Sequence, residues 1–151
     1  MGVSFRPARP EDAAELWRLN TAFNGPGDKA PAEMAADLAA PGGELTFVAQ
    51  GDRGLVGFCC CQVKRSWCYR EPAAELTELY VEPGFRRMGV AKGLLAVAEE
   101  TCARLGAEAL TLLTGDDNGP ARGFYESQGF SPSGEVHYEK ELFGEREVDG
   151  L

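Results

Sequence analysis

The stretch of sequence that decides the fold is residues 79–93, which read LYVEPGFRRMGVAKG. An apolar strand ends in it, a turn with two arginines follows, and helical spacing of apolar residues then begins. Amides at the start of a helix have no intrahelical acceptor and carry partial positive charge, so they bind phosphate oxygens. Gly89 lets the backbone approach such a ligand closely, and Arg86 and Arg87 add suitable donors. The stretch therefore predicts an anion site between a strand and a helix.

The glycine spacing excludes two common phosphate motifs. It lacks the G-x-x-x-x-G-K-[ST] of the P-loop and the G-x-G-x-x-G of the dinucleotide fingerprint. Taken alone, residues 79–93 are also consistent with a solvated basic helix start whose glycine serves only the turn. A binding site for some other phosphate compound is a further alternative.

The elements on either side complete a mixed pattern of strands and helices. Strands are predicted at 3–8, 44–50, 55–64, 74–81 and 109–113, followed by a final pair from residue 130 and at 136–142. Helices are predicted at 10–23, 32–40, 88–105 and 120–128. The order predicts a mixed α/β (α+β) sheet in a single domain, residues 1–143, followed by a polar C-terminal tail, 144–151.

A second motif downstream makes the pattern specific. Arg86-x-x-Gly89-x-Ala91 resembles the coenzyme A pyrophosphate loop of the GNAT superfamily of N-acetyltransferases, whose pattern is Q/R-x-x-G-x-G/A. The run Asn118-x-x-Ala121-x-x-x-Tyr125-x-x-x-Gly129-Phe130 resembles the second motif of that superfamily. The resemblance covers about residues 2–143. It implies the acyl-CoA N-acyltransferase fold, with a mostly antiparallel central sheet splayed between strands 4 and 5 and flanked by about four helices.

The resemblance also implies a cofactor and the residues that hold it. Acetyl-CoA is the expected co-substrate, its pantetheine arm lying in the splay against the fourth strand, and no metal is expected. Backbone amides of that strand would also polarise the thioester carbonyl. Asn118 matches a position that often contacts the cofactor, and Tyr125 matches a tyrosine near its sulfur. The complete set of expected cofactor-binding residues is Leu79, Tyr80, Val81, Arg86, Arg87, Met88, Gly89, Val90, Ala91, Lys92, Asn118 and Tyr125.

Three side chains are candidates for proton transfer. Tyr125 is the expected acid that protonates the departing thiolate. Glu75 and Glu78 are the candidate bases, and strand alternation predicts that they point to opposite faces of the sheet. Glu75 stands where the histone-acetylating branch of the superfamily carries a glutamate. Burial would raise the pKa of either carboxyl toward neutrality, as a base requires. A water chain in place of one dedicated base stays open.

The expected reaction is direct transfer of an acetyl group to a primary amine. Aromatic and acidic residues in the first two helices and in the loop after residue 64 suit a small cationic acceptor, such as an aminoglycoside, a polyamine or an amino-acid derivative. A protein lysine or N-terminus is the alternative acceptor, and a non-catalytic acyl-CoA-binding sensor is the alternative class. A homodimer is compatible with the fold, although no residue specifies its interface.

The composition of the chain limits the classes of partner that it is expected to bind. The chain has 15 Lys and Arg against 24 Asp and Glu, a net charge of -9, so it lacks the basic footprint of nucleic-acid binding. The first residues contain no long apolar run, so neither a signal peptide nor a membrane partner is expected, and a cytoplasmic location follows. The five cysteines form no CxxC pair and the chain has one histidine, which favours free thiols over a zinc site. A nucleophilic thiol needs an adjacent base, and no spacing in the sequence supplies one to a cysteine.

Overall fold

The computed structural model describes residues 2–40, 42 and 44–143, which form two compact units, one ending at Leu113 and one beginning at Thr114. The first unit contains β1 (Ser4–Pro7), α1 (Ala13–Asn24), α2 (Pro31–Ala39), β2 (Glu44–Gly51), β3 (Gly54–Lys64), β4 (Ala73–Val81), α3 (Val90–Arg104) and β5 (Leu110–Leu112). The second contains α4 (Gly119–Ser127). The single domain over 1–143 stays a prediction, and the predicted tail lies outside the described residues.

The sheet has the predicted mixed character. Its strands lie in the order β1-β2-β3-β4-β5, with antiparallel pairs from β1 to β4 and a parallel pair between β4 and β5. A parallel neighbour requires a crossover, and α3 supplies it. The predicted mostly antiparallel sheet with its flanking helices is therefore confirmed.

The pairing between β4 and β5 is short. It joins Ala74 to Leu110, Glu75 to Thr111 and Leu76 to Leu112. Beyond Leu76, β4 continues to Val81 and pairs only with β3. We call residues 77–81 the open half of β4, because they lie beyond the last β5 pair. This is the splay that the family resemblance implied.

A β-bulge interrupts β4 at Thr77. Cys60 pairs with Glu78, whereas the next residue of β3, Cys61, pairs with Leu76, so Thr77 is the extra residue. Its hydroxyl donates to the carbonyl oxygen of Cys60 at 3.2 Å. An extra residue reverses the alternation of side chains beyond it. Glu75, paired with Gln62, and Glu78 consequently point to the same face, and the prediction of opposite faces was wrong.

Each face of the sheet is covered by its own helix. On the α1 face, a core cluster joins the helix to three strands and consists of Leu16, Leu19, Val48, Leu55, Phe58, Cys60 and Tyr80. On the other face, α3 buries Leu94 and Leu95, and the Cys59 thiol donates to the Leu94 carbonyl at 3.7 Å. Burial of these apolar side chains is the main force that holds both helices to the sheet.

Two glycines determine how closely α3 approaches the sheet. A Cβ on Gly93 would lie 2.1 Å from the Phe5 ring, and a Cβ on Gly57 would lie 2.7 Å from the Tyr80 carbonyl oxygen and 3.3 Å from Leu94. Glycine at these positions therefore places α3 directly on the sheet, with its first turn beside the end of β4.

The predicted final pair of strands is absent, since residues 130–143 form none. Pro132 lacks the amide that a ladder requires, and Gly134 takes a φ of 81° that a strand cannot accommodate. The amide of Glu135 bonds instead to the hydroxyl of Ser133 at 3.2 Å. The strand predicted at 109–113 is also shorter, and Leu110 and Leu112 are half-buried rather than buried.

Candidate active site

The open half of β4 directs two backbone amides away from β3. The amide of Glu82 donates to Val56 of β3 at 2.9 Å. Because successive residues of a strand direct their amides to opposite edges, those of Val81 and Leu79 face the open edge and that of Tyr80 faces β3. The close approach of Gly57 to the Tyr80 carbonyl agrees with this assignment. Of the three predicted residues of this strand, Leu79 and Val81 thus offer donors beyond the last β5 pair.

Residues 82–89, which we call the phosphate loop, connect the open half of β4 to α3. The loop begins with a 3-10 turn at Pro83–Phe85. Arg86 then folds back, and its Nε donates to the Val81 carbonyl at 2.9 Å while its guanidinium lies over the Tyr80 ring, 5.7 Å from the centroid. Arg87 has a φ of 63°, which is strained for a residue with a side chain. A backbone held against its preference is common at ligand sites.

The start of α3 is open to a ligand. Gly89 is its N-cap, with a φ of 81° and no side chain to cap the helix, and a Cβ placed there would meet no atom of the described residues within 4 Å. The first intrahelical bond runs from the Gly93 amide to the Gly89 carbonyl at 2.9 Å. The amides of Val90, Ala91 and Lys92 precede it and have no intrahelical acceptor.

The charge around this helix start is positive. Arg86, Arg87 and Lys92 are exposed cations, and Met88 is an exposed apolar residue beside them. Together with the helix amides they provide several donors for an anion of more than one phosphate. In a chain of net charge -9, this concentration of cations is a local feature.

An aromatic cluster lies on the α1 face of the open half. Phe23, on the last turn of α1, stacks on Tyr80 with ring centroids 5.0 Å apart and an interplanar angle of 27°. Phe58 meets both rings, 6.4 Å from Phe23 and 6.3 Å from Tyr80. The cluster fixes the end of α1 against β4.

Glu78 lies next to this cluster. It is half-buried, and desolvation raises the pKa of its carboxyl, an effect that the Glu44 carboxylate strengthens and a hydrogen bond from Asn24 opposes. Asn24 is itself held by its Nδ2 hydrogen bond to Asn20 Oδ1 at 2.7 Å. A carboxyl with a raised pKa is suited to accept a proton near neutral pH.

Glu75 lies in a different environment although it shares that face. Its Oε1 is 2.6 Å from the Lys64 ammonium. One oxygen of its carboxylate is therefore occupied by a cationic partner. Of the two candidates, only Glu78 combines partial burial with the absence of a cationic partner among the described residues.

The Cys60 thiol of β3 is unsuited to nucleophilic catalysis. Cys60 pairs with Glu78 across the sheet, and burial together with the Glu44 and Glu78 carboxylates raises the pKa of its thiol to about 12. All five cysteines are free; four are buried and Cys68 is exposed. The described residues contain no group of three His, Cys, Asp or Glu side chains placed to hold a metal ion. Among their helices, none is long and apolar enough to cross a membrane.

Asn118 and Tyr125 belong to the second compact unit. Asn118 is the N-cap of α4, and its Oδ1 accepts the Ala121 amide at 3.2 Å. Tyr125 packs between Phe124 and Phe130, with ring centroids at 5.3 and 5.7 Å. Its carbonyl accepts the amide of Phe130, which closes the helix beyond Gly129. The second motif thus has a local structural role, and its role toward a cofactor stays a prediction.

Comparison with models of protein families identifies the family of this chain. The profile described as "Acetyltransferase (GNAT) family" matches residues 12–130. The chain belongs to the GNAT acetyltransferase family. The matched range includes the open half of β4, the phosphate loop and the second motif, so the predicted membership is confirmed.

Solved structures show the same GNAT fold. The aminoglycoside N-acetyltransferase AAC(6')-Iy in complex with CoA is 20% identical, with a TM-score of 0.82 over 94% of this chain and 96% of that one. AAC(6')-Ih from Acinetobacter baumannii is 18% identical, with a TM-score of 0.80 over 95% and 100%. An aminoglycoside acetyltransferase from an uncultured soil metagenomic sample, in complex with sisomicin, is 18% identical, with a TM-score of 0.80 over 93% and 97%. No curated protein matches the sequence.

Sequence reasoning missed three features of the candidate site in the first unit. The bulge at Thr77 has no signature in the strand pattern. The carboxylate of Glu44 acts on Glu78 from two strands away. Arg18 and Glu82, which are 64 residues apart, form an ion pair at the entrance to the phosphate loop. No local spacing predicts such long-range contacts.

Proposed function

We propose that this protein is an acetyl-CoA-dependent N-acetyltransferase that acetylates a primary amine of a small cationic molecule. The observation that carries the proposal is the open half of β4. Its Leu79 and Val81 amides face an edge without a β5 partner, and the strand leads directly into a glycine-capped helix start rich in cations. An edge of backbone donors for a long thioester and an anion site for its phosphates thereby follow each other along the chain.

The residues present fit acetyl-CoA, which would supply a thioester as the acetyl donor. The amides of Val90, Ala91 and Lys92 would bind the pyrophosphate, with Arg87 as a further cation. Gly89 would allow close approach, because it has no Cβ and its surroundings are open. Arg86 is already bonded to Val81, so it would shape the loop as well as contribute charge. The Leu79 and Val81 amides would bind the pantetheine arm and the thioester oxygen.

Proton transfer would be divided between two side chains. Glu78 would accept a proton from the acceptor ammonium, directly or through water, because the raised pKa of its carboxyl suits it to a base. The amine nitrogen would then attack the thioester carbonyl carbon, forming a C–N bond as the C–S bond breaks. Tyr125 would donate a proton to the thiolate and would regain one from the attacking nitrogen, which loses its second proton, directly or through water, as the amide forms. The proton held by Glu78 would return to solvent. Glu75 remains the alternative base, with one carboxylate oxygen held in its ion pair with Lys64.

A cationic acceptor suits the α1 face. Glu44 and Glu78 provide negative charge there, and Phe23 and Tyr80 provide aromatic surface for cation–π contact. Three structural neighbours are described as aminoglycoside acetyltransferases, and one was crystallised with sisomicin, a cationic small molecule. Aminoglycosides and polyamines are accordingly the first compounds to test.

One observation favours a protein acceptor as the second candidate. The loop between β3 and β4 presents Trp67 with 97% of its surface exposed and Tyr69 with 75% exposed. Exposed aromatic residues are enriched where proteins bind other proteins. A lysine side chain or an N-terminus presented by a docked protein would approach the same carboxylates.

The proposal is tested by the release of free CoA from acetyl-CoA. The reaction would be run with aminoglycosides, polyamines, amino-acid derivatives and lysine peptides, and with no acceptor as the background. Acceptor-dependent release with a small amine supports the proposal, and release with peptides alone supports the second candidate. Tight binding of acetyl-CoA without release from any acceptor would favour a non-catalytic sensor.

A further inference from the structure

Arg18 connects helix α1 to the residue at which β4 ends. Its Nε donates to Glu15 at 2.9 Å, its Nη2 donates to the Leu55 carbonyl at 3.0 Å, and its Nη1 donates to the carboxylate of Glu82. The guanidinium thus has acceptors on α1, on β3 and at the first residue of the phosphate loop. Glu15 is held in turn, because its Oε1 accepts the Leu55 amide at 3.2 Å.

Glu82 is the joint between the strand and the loop. Its amide is the last that β4 and its extension donate to β3, at 2.9 Å to Val56, and its carbonyl accepts the Phe85 amide of the 3-10 turn at 2.9 Å. Beyond that turn, Arg86 bonds back to Val81. Glu82 therefore sets the direction in which the loop leaves the strand, because it makes the last backbone hydrogen bond to β3.

We propose that Arg18 is a positioning residue for the acetyl-CoA site. It acts through Glu82, holding the start of the phosphate loop so that the amides of α3 and those of the open half of β4 keep a fixed separation. An isolated ion pair at a surface restrains little, but this guanidinium is fixed by three acceptors on separate segments. The inference rests on the proposed function, because it assigns a residue to the cofactor site of that function.

Two variants separate positioning from a simple effect of charge. Arg18→Gln removes a cation and Glu82→Gln removes an anion close to a site for an anionic cofactor. By charge alone, the first would weaken CoA binding and the second would strengthen it. Positioning requires both to weaken it, because each breaks the same contact. The charge exchange Arg18→Glu with Glu82→Arg restores an ion pair and is expected to recover part of the loss.

The experiment is a calorimetric titration of each variant with CoA, together with its melting temperature and the KM for acetyl-CoA and for the amine. Arg104→Gln is the matched control, since the polar contact of Arg104 among the described residues is an exposed pair with Glu100 at 3.8 Å on the far turns of α3. We expect the Kd for CoA to rise about fivefold in Arg18→Gln and in Glu82→Gln, with the KM for the amine unchanged. If Arg18→Gln does not fold, Glu82→Gln still tests the contact, because it removes the partner of Arg18 in the loop.

Two results would overturn the inference. One is an unchanged Kd in both single variants, with or without a lower melting temperature, since the contact would then serve stability alone. The other is tighter CoA binding by Glu82→Gln, since charge rather than position would then govern binding. Failure of the unaltered protein to bind CoA would overturn the proposed function itself. Titration of the unaltered protein with CoA distinguishes this outcome from the two results above.

Discussion

The side chains of Glu75 and Glu78 project from the same face of the sheet. The bulge at Thr77 brings them there, since it adds one residue to β4 opposite Cys60 and Cys61. The two carboxyl groups lie in different environments. Glu75 pairs with Lys64, whereas burial and the Glu44 carboxylate raise the pKa of Glu78. The two glutamates are therefore expected to contribute differently to proton transfer.

Replacing Glu78 by Gln is expected to lower kcat/KM by roughly a hundredfold at neutral pH, the lower end of what a positioned general base contributes. In the unaltered protein, kcat/KM should rise with pH through an apparent pKa above the 4.5 of an ordinary glutamate, because the folded carboxyl has a raised pKa. This rising limb should be absent from Glu78→Gln. Steady-state rates of CoA release across pH measure both quantities.

Glu75→Gln is the matched control for that prediction, because it changes the same group on the same face. It should retain most of the activity and the rising limb. A larger loss in Glu75→Gln than in Glu78→Gln would transfer the role of base to Glu75.

Glu78 also affects stability in a pH-dependent way. A carboxyl whose pKa is raised by folding stabilises the folded state only while it is protonated, so that stability is lost as pH rises through the folded pKa. Glu78→Gln removes this cost and should raise the melting temperature at pH 8, with little difference from the unaltered protein at pH 4. Thermal denaturation at the two pH values tests it, and an equal change at both would contradict the assigned pKa shift.

Asp12 is expected to behave in the opposite way. It is buried, accepts two hydrogen bonds from Arg6 at 2.8 Å and one from the Arg9 amide at 2.8 Å, and the Arg6 guanidinium holds the pKa of its carboxyl below 3.8. Its stabilising contribution is therefore complete above pH 3.8 and is lost as pH falls through the folded pKa. Asp12→Asn should cost about 2 kcal/mol of unfolding free energy at pH 7 and less at pH 3. Urea denaturation at each pH measures this, and a constant cost would show that Asp12 acts by packing alone.

Gly93 should not tolerate a methyl group. Alanine there would place a Cβ 2.1 Å from the Phe5 ring, so the ring or α3 must move, at an expected cost of about 1–2 kcal/mol. Gly123 is the matched control, because it lies within α4 with no atom within 4 Å of its Cβ position, and Ala there should be neutral or stabilise by about 0.5 kcal/mol. Equal unfolding free energies for the two variants would refute the close packing of α3 on β1.

Local patterns in the sequence predicted most of the elements that build the site. The apolar strand, the loop around Gly89 and the helix after it lie within one stretch of sequence, so their spacing predicted an anion site between a strand and a helix. The order of elements and the second motif indicated the family. Most termini of the helices and strands differ from the predicted ones by a residue or two, as is usual because helix ends fray. The first helix begins three residues later than predicted, at Ala13, because Pro10–Asp12 form a 3-10 turn.

The features that sequence did not predict depend on contacts between distant residues. The face on which Glu78 lies follows from a bulge that only the pairing with β3 reveals. The pKa of its carboxyl depends on Glu44 and Asn24, which lie on other elements. A strand was predicted at 136–142, whereas residues 130–143 form none, and Pro132 and Gly134 prevent one immediately before it.

The most direct test of the central claim is equilibrium titration with acetyl-CoA of the unaltered protein and two glycine variants. Gly89→Ala adds a Cβ to a residue with a φ of 81° at the start of α3, whereas Gly84→Ala adds one in open space within the same loop. We predict saturable binding by the unaltered protein and by Gly84→Ala, and about tenfold weaker binding by Gly89→Ala, because both its backbone strain and its Cβ oppose close approach of the phosphates. Absence of saturable binding by the unaltered protein, or equal affinity in all three, would contradict the assignment of the site.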